Sequence, residues 1–171
     1  MDENLGRAAS CAFTGHRPTV LPWGSDERDA RCLALKAKLE EAIRTACRQG
    51  FRHFICGMAQ GADLYFCEGV VKLRSEFPGI TLEAAVPFPG QCDRWSRAER
   101  ERYRALLALC DMETLIQQFH TPGCMQRRNR YMVDHAGLLL AVFNGNPKAS
   151  GTLGTIHYAL QQGVRLEIIE V

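Results

Sequence analysis

Three short stretches combine glycine with hydroxyl, imidazole, guanidinium or carboxylate side chains. They are Thr14-Gly15-His16-Arg17-Pro18, Gly57-Met58-Ala59-Gln60-Gly61-Ala62-Asp63 and Ser150-Gly151-Thr152-Leu153-Gly154-Thr155. The first two directly follow a short apolar or small-residue run, the third follows one after the polar loop Asn144–Ala149, and the second and third lead into a helical pattern. Glycine lets a backbone approach a ligand closely. The free N–H groups and positive dipole end of a helix then favour an anion. This grammar suits a phosphate-bearing ligand. Arg17 is fitted to bidentate phosphate contact, and His16 can donate to phosphate or move a proton. Asp63, in a first helical turn, can accept ribose hydroxyls or simply complement the helix dipole. Ser150 or Thr152 can equally serve as an ordinary cap. The spacing Gly57-x-x-x-Gly61 is neither G-x-G-x-x-G nor a Walker A loop, so no conventional dinucleotide fingerprint or P-loop is present.

A fourth stretch, Arg127-Arg128-Asn129-Arg130, opens another helical pattern. Adjacent helix residues point in different directions, so these cannot all serve one ligand. Met125, Arg128 and Met132 share one face. An arginine on that apolar stripe is expected to point into the site, with Arg127 and Arg130 on the surface. Asp134 is either an arginine partner or plain helix surface. The arginine-rich helix from Asp93 to Leu109 reads as a solvated face, with Trp95 and Tyr103 packing rather than stacking on a base.

The elements that must position these residues alternate throughout. Strands are expected over Ala8–Phe13, Phe51–Cys56, Ile80–Val86, Met112–Ile116, Gly137–Phe143 and Arg165–Ile169. Helices are expected over Asp26–Gln49, Ala62–Glu76, Asp93–Leu109, Met125–His135 and Thr152–Gln162. Cys32, Leu35, Leu39, Ile43 and Cys47 give the first long helix one apolar face, with Ser25 or Asp26 as its cap. The pattern predicts an α/β fold: a doubly wound sandwich with a mostly parallel sheet, in a single domain over 1–171, with 1–7 as a disordered tail. Ligands of such sheets sit at the carboxyl ends of the strands, at the topological switch point.

The chain has 171 residues and a net charge of +2, which gives no global reason for a membrane or nucleic-acid partner. Its 8 cysteines show no C-x-x-C pair and no zinc spacing, so they read as small hydrophobes and no metal site is expected. No signal-peptide pattern is visible and no apolar run reaches membrane-spanning length, so the expected location is cytoplasmic.

Taken in order, Thr14-Gly15-His16-Arg17-Pro18, the Gly57–Asp63 run, Trp95 with Tyr103 and Asp111, the Gly123–Asp134 run and Gly151-Thr152 resemble the YpsA-like family of the SLOG superfamily. The resemblance covers nearly the whole chain. It implies a Rossmann-like fold that binds a nucleotide or nucleotide-derived ligand such as ADP-ribose or an NAD-like molecule, with no required cofactor and with homo-oligomers. The implied ligand-binding residues are Thr14, Gly15, His16, Arg17, Gly57, Gly61, Ala62, Asp63, Arg128, Asn129, Gly151, Thr152 and Thr155. Met125-x-x-Arg128-Asn129-x-x-Met132 is similar to the LOG phosphoribohydrolase stretch whose arginine is catalytic. The LOG glutamate, however, is replaced by Tyr158 with His157 beside it. A carboxylate is what N-glycosidic hydrolysis needs. The resemblance therefore implies sensing or regulation rather than turnover, with Asp63 or Asp134 as the substitute carboxylates for a hydrolase. The Cys56–Asp63 run is also similar to DprA, a single-strand nucleic-acid binder. Low net charge and 8% aromatic content argue against that partner.

Overall fold

The computed structural model describes residues 3–148 and 150–171. The strands are β1 (Ser10–Thr14), β2 (His53–Cys56), β3 (Thr81–Val86), β4 (Met112–Leu115), β5 (Leu138–Phe143) and β6 (Arg165–Glu170). The helices are α1 (Glu3–Ala8), α2 (Ala30–Arg48), α3 (Ala62–Leu73), α4 (Arg97–Leu109), α5 (Cys124–Asp134) and α6 (Ser150–Gln161). One six-stranded sheet runs β4-β3-β2-β1-β5-β6, and every pairing is parallel. The chain steps outward from β1 to β4, then returns to lay β5 on the other flank of β1. The switch point is therefore between β1 and β5, where Thr14 pairs with Ala141 in the last register step.

Alternate strand residues face alternate sides, and the two cores follow from this. Phe13, Phe54, Leu82, Leu138 and Leu140 pack with α2, α3 and α4. Ala12, Ile55, Ala85 and Leu139 pack with Met132 and Val133 of α5 and Ala159 of α6. The rings of Phe13 and Phe66 stack with centroids 4.4 Å apart, fixing α3 against β1. Trp95 and Tyr103 meet edge to face at 5.3 Å and pack on the first core, away from the switch point. Seven of the cysteines are buried and Cys110 is half-buried, each as a free thiol. Among the described residues, no helix is long and apolar enough to cross a membrane.

Three expectations shift. Residues Glu3–Ala8 form a short helix where a disordered tail is expected. Ser10 Oγ donates to the Gly6 carbonyl at 2.5 Å, and Arg7 Nε to that of Ala136 at 3.3 Å. The Ser10 tie is local and the Arg7 tie tertiary, and neither leaves an apolar period in the sequence. Helix α2 starts at Ala30 and not Asp26. Asp29 is its cap, accepting from Arg31 N at 2.8 Å, because 17–29 winds through successive turns anchored by Trp23 Nε1 on Tyr65 Oη at 3.3 Å. Helix α4 starts at Arg97, capped by Ser96, because 90–95 is likewise spent in turns.

Candidate functional site

The carboxyl end of β1, the start of α3, the loop after β5, and the facing sides of α5 and α6 enclose a cavity of about 670 Å³. Thr14, Gly15, His16 and Arg17 line it from β1, and Asp63 from α3. Arg128 and Asn129 line it from α5, and Gly151, Thr152 and Thr155 from α6. Gly57, Gly61 and Ala62 are not on its wall. Arg130, Lys148, His157 and Tyr158 are on it, although the sequence directs Arg130 to the surface and gives no period that would bring Lys148 there.

The glycines divide into two kinds. A Cβ on Gly57 would lie 2.6 Å from Cζ of Arg128, so this glycine makes room for the guanidinium and not for a ligand. A Cβ on Gly61, at φ +86, would strike the His16 carbonyl oxygen at 2.7 Å. A Cβ on Gly15 would strike Cβ of Ala62 at 2.7 Å. The first two glycine turns therefore lean on each other, joined by Ala62 N donating to the His16 carbonyl at 3.1 Å. Gly151 and Gly154 differ: a Cβ on either would meet nothing within 4 Å.

Arg128 is 4% exposed. Its Nη1 donates to the Gly57 carbonyl at 2.6 Å and to Gln91 Oε1 at 3.2 Å, and its Nε to Asn129 Oδ1 at 2.9 Å. All three acceptors are neutral, and among the described residues no carboxylate lies within 4.0 Å of the guanidinium. Burial lowers its pKa, against the pull of Asp63. A buried cation without an ion pair is costly, and an anion from outside relieves that cost. Gln91 is a residue the sequence does not reveal. It is buried in the turns before α4, and its Nε2 donates to the carbonyls of Gly57 at 3.2 Å and Met58 at 3.4 Å. It thereby holds the groups that hold Arg128.

Asp63 is 6% exposed and accepts from Ala59 N at 3.0 Å. Burial pushes its carboxyl up to about 6, against the opposing fields of Arg128 and Arg17 and the Ala59 hydrogen bond. The turn it closes contains Met58 at φ +59. That left-handed backbone costs a non-glycine residue about 1–2 kcal/mol. Among the described residues Asp63 is the only carboxylate on the cavity wall, which it shares with four cations, Arg17, Arg128, Arg130 and Lys148. Asp134 is elsewhere, accepting from Tyr158 Oη at 2.7 Å.

His16 is buried with both ring nitrogens engaged. Asn144 N donates to Nε2 at 3.1 Å, and Nδ1 faces Thr152 Oγ1 at 3.3 Å. A backbone N–H can only donate, so Nε2 is the acceptor and the neutral ring carries its proton on Nδ1, directed at Thr152. Burial lowers the pKa and keeps the ring neutral. In this arrangement the ring is a strut between β1, the end of β5 and the start of α6.

A second strut holds α5. Glu83, buried in β3, accepts from Tyr131 Oη at 2.6 Å and Thr114 Oγ1 at 3.0 Å, and pairs with His53 Nε2 at 2.8 Å. Burial would raise its pKa, but these partners outweigh it and hold the carboxyl below its usual value. Tyr131 lies three residues beyond Arg128, so this tie fixes the helix that carries the guanidinium.

Comparison with known proteins agrees with this architecture. Residues 11–170 match the model of the YspA SLOG family. A UPF0398 protein of Bacillus pumilus is 27% identical over 144 residues, covering 80% of this chain and 76% of its own. The SPbeta prophage-derived protein YoqJ of Bacillus subtilis is 31% identical over 137 residues, covering 73% of this chain and 77% of its own. Among solved structures, DNA processing protein A of Helicobacter pylori, described for its single-stranded DNA binding mode, superposes with a TM-score of 0.63 at 13% identity. It covers 98% of this chain and 68% of that one, a likeness of fold.

Proposed function

The chain belongs to the YspA SLOG family, and from that premise we propose that it binds a nucleotide or nucleotide-derived small molecule at the β1–β5 switch point, in a sensing or regulatory role. The observation that carries this is Arg128: a buried guanidinium with only neutral partners, on the wall of a cavity that also holds the N-terminus of α6. In this reading Arg128 and the first turn of α6 take phosphate, Arg17 and Lys148 close over it, and Asp63 accepts sugar hydroxyls.

The test is a thermal-shift panel of AMP, ADP, ATP, ADP-ribose and NAD, since a ligand that binds only the folded state must raise the melting temperature. No shift from any of them at millimolar concentration ends the proposal. The carboxyl of Asp63, pushed up to about 6, adds a pH signature. Below that value it is mostly protonated; above it, the carboxylate is the stronger acceptor for a hydroxyl. Affinity for ADP-ribose, whose pyrophosphate has no group titrating there, is expected to rise as pH climbs through about 6 and then level off. In Asp63→Asn the curve is expected to be flat. A wild-type curve without that step would remove Asp63 from the ligand contacts.

A second reading places the terminal nucleotide of a single-stranded nucleic acid in the same cavity. Sequence composition argues against it, but four wall cations and the DNA-binding mode described for the H. pylori structure favour it. It predicts affinity falling steeply with salt, in proportion to the phosphates neutralised. Hydrolysis of an N-glycosidic bond would rest on Asp63 alone, because Asp134 is not on the cavity wall.

A further inference from the structure

The cavity-facing stripe of α6 contains Gly151, Gly154, Thr155, Tyr158 and Gln161, spaced by three and four residues. Gly154 lies inside the helix, where glycine lowers stability relative to alanine. Packing does not require it: the residue is exposed and a Cβ would meet nothing within 4 Å. Gly15, Gly57 and Gly61 each have protein atoms against them instead. The bare strip keeps a groove open from the helix N-terminus to Tyr158.

At the far end of that groove, Arg130 of α5 stands over the Tyr158 ring, its guanidinium carbon 5.3 Å from the ring centroid. Tyr158 Oη donates to Asp134 Oδ1 at 2.7 Å, which pins the ring in its orientation. Arg130 is itself exposed to the cavity. A planar guanidinium held on an aromatic ring stacks readily on a second flat π-system. Arg128, buried and without an ion pair, lines the same cavity. Gly151 and Tyr158 are about 10 Å apart at 1.5 Å rise per residue. That is the length of one nucleotide, longer than a free phosphate and shorter than an extended dinucleotide.

Resting on the nucleotide reading above, we propose that Arg130 on Tyr158 is the base-stacking platform of this site, and that the ligand is a mononucleotide lying along α6 over Gly154. Its phosphate meets Arg128 and the start of α6, and its base meets Arg130. The glycine is a specificity feature, since a side chain there would fill the path between phosphate and base.

The experiment measures affinity for AMP and for ribose 5-phosphate, which lacks the base, in wild type, Arg130→Ala, Gly154→Ala and Gly154→Leu. Wild type is expected to prefer AMP by roughly tenfold or more, the usual effect of stacking one base. Arg130→Ala and Gly154→Leu are expected to erase that preference while ribose 5-phosphate affinity stays within about twofold. Unliganded Gly154→Ala is expected to melt no lower than wild type, separating lost binding from lost folding. The platform is overturned if wild type binds both compounds equally, if the variants keep the preference, or if they lose both compounds in parallel. Each of those outcomes leaves a phosphate-binding cavity standing. Failure of wild type to bind either compound removes the platform, whereas the nucleotide reading falls only if ADP, ATP, ADP-ribose and NAD fail as well.

Discussion

Arg128→Ala is expected to lose ligand affinity by roughly 30- to 1000-fold with little change in the melting temperature of the unliganded protein. The side chain supplies charge-assisted hydrogen bonds in a low-dielectric setting, worth about 2–4 kcal/mol in all when an anion is bound. Without ligand the same charge is buried against neutral acceptors only, so its removal relieves a desolvation cost. Gly57 keeps a donor in Gln91 Nε2. Gain and loss then nearly cancel in the free protein, and the loss stands alone in the complex. Paired thermal melts and titrations of the best ligand check this. Arg128→Lys keeps the charge without the planar fork, and is expected to recover only part of the affinity. Full binding by the alanine variant would show that the anion is held elsewhere.

Gly61→Ala is expected to be the most damaging single methyl in the site. Two independent costs act. The backbone at φ +86 and ψ −129 is one that L residues rarely adopt. The added Cβ would also lie 2.7 Å from the His16 carbonyl oxygen and 3.0 Å from Pro18 Cδ, which are main chain and a fixed ring and not a flexible tip. Strain of about 1–3 kcal/mol and overpacking of about 1–3 kcal/mol lower the melting temperature by roughly 10 °C. Gly24→Ala is the control. Its φ is +59 but a Cβ would meet nothing within 4 Å, so only the strain remains, about 1–2 kcal/mol. If both variants melt alike, close approach of the two turns is not what Gly61 provides. Ligand affinity of Gly61→Ala, measured well below its melting point, reports whether His16 and Asp63 depend on that contact for their places.

These expectations show which parts of the molecule are legible in the sequence. The alternation of strands and helices is written in hydrophobic period, as is the stripe Met125, Arg128, Met132 on α5. What the period leaves out is the partner of each polar group. That Gly57 is small because Arg128 lies across it depends on two segments 71 residues apart. Gln91 lies between proline-rich turns and α4, with no period at all. His16 looks like a free imidazole until Asn144 and Thr152 are seen on either side. Helix α1 is too short and too polar to announce itself, and the cap of α2 is Asp29, beyond the expected Ser25 or Asp26. Arg130 reads as surface because it is exposed. Only the facing helix α6 shows that the surface in question is a cavity wall.

The His16 strut has a consequence for how the protein folds. It joins residues separated by 128 and 136 positions along the chain, and β1 pairs with β5 only by closing a loop of that order. Closing so large a loop is slow, and its entropy is lost before any contact compensates. The binding cavity is therefore missing from a chain whose β5 has not docked. If β5 docks after the folding transition state, a ligand held there slows unfolding and leaves the rate of folding unchanged, which stopped-flow unfolding and refolding with and without ligand would show.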